Sequence, residues 1–283
     1  MNRLIFLGTG TSNGVPVLGC GCEVCMSSDP RDRRLRTSAL LKLGSQNILF
    51  DIGPDFREQS LRQNILRIDG VLVTHPHYDH IGGLDDIRQV NFTMNSAIDI
   101  YGTSSSLGEI RERCGYMFRE TQEGGGKPKV ALNEIEPYRE FTVGGTKVTP
   151  FTVMHGEIPI LGYRIGGLVY ITDASAIPDK SLELIRSEPV DVLVVNALRY
   201  APHPTHFNLD QALEFIAKVK HRSMTSISPR DFTLTDSGTS SHPRESLTRA
   251  YLVHVTHHFG QAKTQAELPK DVYLAYDGLE AEY

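Results

Sequence analysis

Three imidazoles and a carboxylate fall within six positions at His75, His77, Asp79 and His80, directly after the apolar run Gly70-Val71-Leu72-Val73. Neutral imidazole and ionised carboxylate suit zinc, manganese, iron and related divalent ions, and each costs free energy to bury without a partner. The group reads as a metal nest at the end of a buried strand. Its spacing differs from a helical His-Glu-x-x-His site, where the histidines lie four apart on one helical face. Here the ligands are expected to splay from a loop.

A second cluster, Cys20-Gly21-Cys22-Glu23-Val24-Cys25, holds three of the four cysteines. A secreted disulfide framework would spread its cysteines along the chain, so C-x-C-x-x-C reads as thiolate ligation of a structural zinc. Three thiolates want a fourth ligand, and His257 or His258 offers one, with His257 preferred. Cys114 stands alone and reads as packed.

These groups need strands to place them. Apolar and β-branched runs predict strands near 3–8, 38–43, 47–51, 70–74, 98–101, 146–154, 160–165, 168–172, 191–196, 250–254 and 271–275. Helical patterns cover 55–63, 179–186 and 208–220, the last starting on an Asn cap with Leu209, Ala212, Leu213, Phe215, Ile216 and Val219 on one face. That order suits an α/β four-layer αβ/βα sandwich with strand ends converging on one edge. The chain has 283 residues, 40% hydrophobic and 22% charged, which allows a single domain over 1–283. Two segments stand out by composition: 121–129 reads as a surface loop. The Ser/Thr/Pro/Arg-rich stretch 221–248 reads as a surface insertion, either bland or serving as lid, binding loop or homodimer contact.

A formal charge of -5 supplies no basic footprint, so a long nucleic acid is not the expected partner. No apolar run approaches the roughly 18 to 20 residues that span a bilayer, and the opening residues are too short for a signal peptide. A cytoplasmic protein without membrane contact is expected.

The string His75-x-His77-x-Asp79-His80, followed by Ile81-Gly82-Gly83-Leu84-Asp85-Asp86, resembles the signature of the metallo-β-lactamase superfamily. The resemblance implies that sandwich and two divalent ions, manganese or zinc and otherwise iron or nickel. It assigns His75, His77 and His155 to one ion, Asp79, His80 and His254 to the other, and Asp173 as the bridge. About 3.5 to 4 Å between the ions leaves room for a shared water that ionises near neutral pH and attacks the substrate. A redox branch of the superfamily carries a carboxylate in place of the second histidine, and His77 argues against electron transfer.

The likeness is greater to the PhnP-type cyclic phosphodiesterases. It extends to Leu7-Gly8-Thr9-Gly10-Thr11-Ser12-Asn13-Gly14, the cysteine cluster, Phe50-Asp51-Ile52-Gly53-Pro54-Asp55 and Ala275-Tyr276-Asp277-Gly278. In that group the zinc's fourth ligand lies three residues after the last active-site histidine, here His257. A histidine before a helix cap serves the scissile phosphate or leaving oxygen, which points to His206. Asp79 and His206 are taken as catalytic, with His206, His203 and Arg199 against the substrate. Asp51 and Asp85 or Asp86 are expected to accept from the ligating histidines. The expected activity is hydrolysis of a small cyclic or nucleotide-like phosphodiester. The rivals are an RNase Z-like endonuclease, a carbon-ester or lactone hydrolase and a non-catalytic PqqB-like binding protein.

Overall fold

Strands apolar on both faces demand cover on both sides. In β11 (Val190–Asn196) Val192 and Val194 point one way and Leu193 and Val195 the other, all buried. In β1 (Asn2–Gly8) Leu4 and Phe6 oppose Ile5 and Leu7 in the same manner. A computed structural model, which describes residues 2–120, 126–220 and 247–283, shows how that cover is built.

Two seven-stranded sheets lie face to face. The first runs β14 (Glu280–Glu282), β1, β2 (Ser38–Leu43), β3 (Gln46–Phe50), β4 (Gly70–Leu72), β5 (Ile98–Gly102) and β6 (Val130–Glu134). The second runs β13 (Val272–Leu274), β12 (Leu247–Val253), β11, β10 (Leu168–Tyr170), β9 (Ile158–Ile165), β8 (Thr146–His155) and β7 (Phe141–Val143). Three apolar layers separate four structural ones. Phe6, Phe50, Tyr163, Tyr170 and Val194 fill the space between the sheets, where Phe50 stacks on Tyr170 at 4.2 Å. Helices α1 (Phe56–Gln63), α3 (Ile87–Met94) and α4 (Ser104–Arg113) cover the first sheet through Phe56, Ile87 and Ile110. Helices α5 (Asp179–Arg186) and α6 (Leu209–Lys220) cover the second through Ile185, Phe215 and Ile216. This is the expected four-layer αβ/βα sandwich.

The helix expected from Asn208 starts as the sequence indicates. Asn208 Oδ1 accepts from the Gln211 amide at 2.9 Å and Gln211 Oε1 from the Asn208 amide at 3.0 Å, a reciprocal capping box. Strands β10, β11, β12 and β13 pair in parallel, as do β3, β4, β5 and β6, so their carboxyl ends open together. Several elements differ from expectation. Asp79 and His80 do not splay from a loop but sit on a helical turn, α2 (Tyr78–Ile81). Helices α3, α4 and α7 (Gln261–Glu267) and strands β6, β7 and β14 went unpredicted, being short, polar or at sheet edges. Residues 121–125 of the expected loop and 221–246 of the expected insertion lie outside the described residues, and 247–248 already belong to β12. Among the described residues no helix is long and apolar enough to cross a membrane.

The loop between β1 and β2 is tied to the C-terminal segment by buried polar groups. Arg34 is 2% exposed and donates to Thr9 Oγ1 at 2.8 Å and to Gln261 Oε1 at 2.5 Å. Asp277 accepts from the Thr9 and Leu35 amides at 3.0 and 2.7 Å. Burial pushes its carboxyl up to about 6, against those donors and Arg34. A carboxyl raised on folding contributes stability that is complete below its unfolded value and lost as pH rises through the folded one. Between pH 4 and pH 7 the wild type should therefore lose on the order of 3 kcal/mol relative to Asp277→Asn. Urea unfolding at both pH values measures this, and a constant difference would contradict it.

Candidate metal centre

The six residues from His75 to His80 follow β4, His155 ends β8, Asp173 follows β10 and His254 follows β12. His75, His77 and His155 bring their donor atoms within 4.8 Å of one another, and so do Asp79, His80, Asp173 and His254. Asp173 joins the two groups. Its Oδ1 lies 3.1 Å from His254 Nδ1 and 3.5 Å from His80 Nε2, while its Oδ2 lies 3.8 Å from His75 Nε2. Asp79 Oδ2 lies 3.3 Å from His80 Nε2. Asp51, Asp173 and His254 have φ of 56°, 58° and 55°, left-handed conformations that the surrounding packing must hold against about 1 kcal/mol or more of strain each.

The hydrogen bonds fix which nitrogen His75, His80 and His155 present. Thr74 Oγ1 donates to Asp51 Oδ2 at 2.8 Å, so it can only accept from His75 Nδ1, 3.0 Å away, which leaves the His75 Nε2 lone pair free. His80 Nδ1 donates to Asp51 Oδ2 at 2.7 Å and His155 Nδ1 to the Thr205 carbonyl at 2.8 Å. His77 faces His75 Nε2 with its own Nδ1, at 2.9 Å. Two ring nitrogens aimed at one point suit a shared cation. His254 lies between the Thr11 and Thr37 hydroxyls, each 3.2 Å away.

Charge tells the same story. Burial holds the His75 imidazole well below its ordinary value, so it stands neutral. It also pushes the Asp173 carboxyl up, but His254 and His80 outweigh it and hold that carboxyl well below the usual range. At His80 burial pushes down, and Asp173 and Asp51 outweigh it and raise the ring well above its usual value. His80 Nε2 is wholly buried with no hydrogen-bond partner. A divalent ion supplies the positive charge this point requires, and the nitrogen and oxygen donors fit one. Because Asp51 orients both His80 and, through Thr74, His75, Asp51→Ala should weaken metal binding about 10- to 100-fold in competition with a chelator. Unchanged affinity would show that Asp51 only braces the loop.

Residues 46–227, more than half of the chain, match the β-lactamase superfamily domain. The chain belongs to the metallo-β-lactamase superfamily. Within this superfamily it resembles a PhnP-family diphosphatase of known crystal structure, 35% identical with a TM-score of 0.84 over 100% of this chain and 97% of that one. A Porphyromonas gingivalis protein named octanoyltransferase is 37% identical over 282 residues, 99% of this chain. The chain spans only 51% of that relative's length. Zinc-bound PqqB of Methylobacterium extorquens shares the fold, at 17% identity and a TM-score of 0.70 over 99% of this chain and 100% of that one.

Other residues of this metallo-β-lactamase fold fall around the centre unevenly. His206 Nε2 lies 3.2 Å from Asp173 Oδ2, its side chain 12% exposed. His203 turns its Nδ1 to His206 Nδ1 at 3.2 Å. Arg199 donates to the Ala201 and Pro202 carbonyls at 3.2 and 2.8 Å, bracing its own loop. Asp85 does not reach a ligating histidine: α2 turns the chain outward, and Asp85 is exposed and accepts from the Tyr116 hydroxyl at 2.6 Å. Asp86 beside it lies at the start of α3, half-buried. Of Asp51, Asp85 and Asp86, it is Asp51 that accepts from a histidine of the centre, His80. The Thr205 carbonyl went unforeseen, since a backbone oxygen leaves no mark in a sequence.

Cys20, Cys22 and Cys25 place their Sγ atoms 3.2, 3.5 and 3.3 Å from His257 Nδ1. No disulfide involves them. Three sulfurs around one imidazole nitrogen are the donors of a closed tetrahedral zinc site. A hydrogen bond from the Cys25 backbone lowers the Cys22 thiol to about 7, whereas burial pushes Cys25 up to about 11. His258 points elsewhere, its Nδ1 2.8 Å from Thr256 Oγ1.

Proposed function

We propose that this chain is a dinuclear metal-dependent phosphodiesterase acting on a small cyclic or nucleotide-like phosphodiester. The observation that carries this reading is Asp173, with one oxygen toward His80 and His254 and the other toward His75 and His206. His75, His77 and His155 would hold one ion and Asp79, His80 and His254 the other, with Asp173 between them. Two divalent ions there, manganese or zinc by ligand type, would lower the pKa of a shared water and draw charge off a phosphoryl oxygen. Asp51 and the Thr205 carbonyl keep the rings in the tautomers that present lone pairs to the centre. Protonated on both ring nitrogens, His206 would give its Nε2 proton to the departing alkoxide, a general-acid role worth about 10²- to 10⁴-fold in rate. The net charge of -5 favours a small substrate over a long polyanion.

A second reading, cleavage of a diphosphate linkage, is favoured by the 35% identity to the PhnP-family diphosphatase. The same donors serve it, but a phosphate leaving group needs less help from His206. The octanoyltransferase name belongs to a protein about half covered by this chain, and we assign no acyl transfer to this site. The test is turnover of bis(p-nitrophenyl) phosphate, a 2′,3′-cyclic nucleotide and a nucleoside diphosphate ester with added Mn²⁺ or Zn²⁺. Metal-stimulated hydrolysis of a diester, lost in His77→Ala, is expected. Absence of turnover with every metal would reject the proposal.

A further inference from the structure

A histidine ring has a broad and roughly two-fold second torsion, so its position alone does not decide which nitrogen faces the chemistry. His155 and His254 flank the His206 ring at centroid distances of 4.6 and 5.2 Å. Ring neighbours of this kind limit tilt. They do not prevent a flip, which would exchange Nε2 for a carbon opposite Asp173.

The atoms around Nδ1 do. His206 Nδ1 lies 2.9 Å from Thr205 Oγ1 and 3.2 Å from His203 Nδ1. His203 Nδ1 is itself anchored, 3.3 Å from the Thr205 amide and 3.2 Å from Thr205 Oγ1. An amide N–H can only donate, so His203 Nδ1 carries a lone pair toward the turn, and of the two facing ring nitrogens His206 Nδ1 is the donor. A carbon of a flipped His206 ring would break this triangle of polar atoms. We infer that His203 is a positioning residue for His206, holding its ring through Nδ1 so that Nε2 stays on Asp173 and at the reacting edge. Where the sequence pointed to direct contact with the substrate, this role of His203 acts through His206.

The role is separable from metal binding. The same turn holds His155 through the backbone carbonyl of Thr205, which a change at His203 leaves in place. Asparagine carries a polar atom near the Nδ1 position of histidine, and alanine carries none. The inference rests on His206 as proton donor, so the probe must need that proton: a 2′,3′-cyclic nucleotide, whose leaving oxygen is an alkoxide. With the Mn²⁺-loaded protein, His203→Ala should lower kcat on the order of 10- to 100-fold, with KM within about twofold and metal content unchanged. His203→Asn should recover most of that loss. Wild-type kcat in His203→Ala, an equal loss in His203→Asn, or a change confined to KM would each overturn the inference. Wild-type kcat in His206→Ala would instead overturn the proton-donor reading beneath it.

Discussion

Asp173→Ala is expected to lower kcat/KM on a phosphodiester by about 10³-fold or more and to cost the centre its bound ions. Among the described residues no other carboxylate faces both groups of donors: Oδ1 looks to His254 and His80, and Oδ2 to His75 and His206. Without it Asp79 is the one carboxylate left among the clustered donors, and the four buried histidines there keep a single anionic partner with which to balance a bound cation. The fold complicates a plain reading, because Asp173 has a φ of 58° and alanine pays about 1 to 2 kcal/mol in that conformation. Asparagine tolerates the left-handed region, so Asp173→Asn removes the charge with little backbone strain. Both variants should lose activity and metal alike, and only Asp173→Ala should also melt earlier. Retention of two ions in Asp173→Asn would show that the carboxylate is not the bridge.

Cys22→Ser should cost a different ion and a different property. A structural zinc contributes its binding free energy to folding, so losing one thiolate of Cys20, Cys22, Cys25 and His257 should lower stability by several kcal/mol. Activity should fall with it, though less than in Asp173→Asn. His257 lies three residues beyond His254, and the segment between them is pinned by the Val255 amide on the Thr9 carbonyl at 3.0 Å and the Thr256 amide on the Leu198 carbonyl at 3.0 Å. A loosened zinc loop therefore loosens a ligand of the other centre. Metal analysis beside thermal melting separates the effects, and an unchanged melting temperature with one ion lost would refute the structural role.

How much of this was legible depended on where the information lies along the chain. The runs in β11 and β1 are apolar at successive positions, which only a sheet covered on both faces explains, and α6 carries its cap and stripe within twelve residues. Helix α4, with Leu107 and Ile110 as its buried apolar residues, has too thin a stripe to stand out and is fixed by the sheet beneath it. The same division holds at the centre. His75, His77, Asp79 and His80 are nearly consecutive, so their chemistry is visible before any fold. Asp51 shows only as a carboxylate after a strand, indistinguishable in type from Asp85 and Asp86, and the turn of α2 decides between them. The pairing of His203 with His206 depends on a turn geometry that neither residue type dictates.

The most direct test is a metal titration of the chelator-treated protein, following hydrolysis of a phosphodiester as Mn²⁺ is added with the cysteine-bound zinc left in place. Activity should be absent at the start and should rise to its plateau as two equivalents per chain bind at His75, His77, Asp79, His80, His155, Asp173 and His254. Full activity in the stripped protein, or a plateau at one equivalent, would contradict a two-ion centre bridged by Asp173.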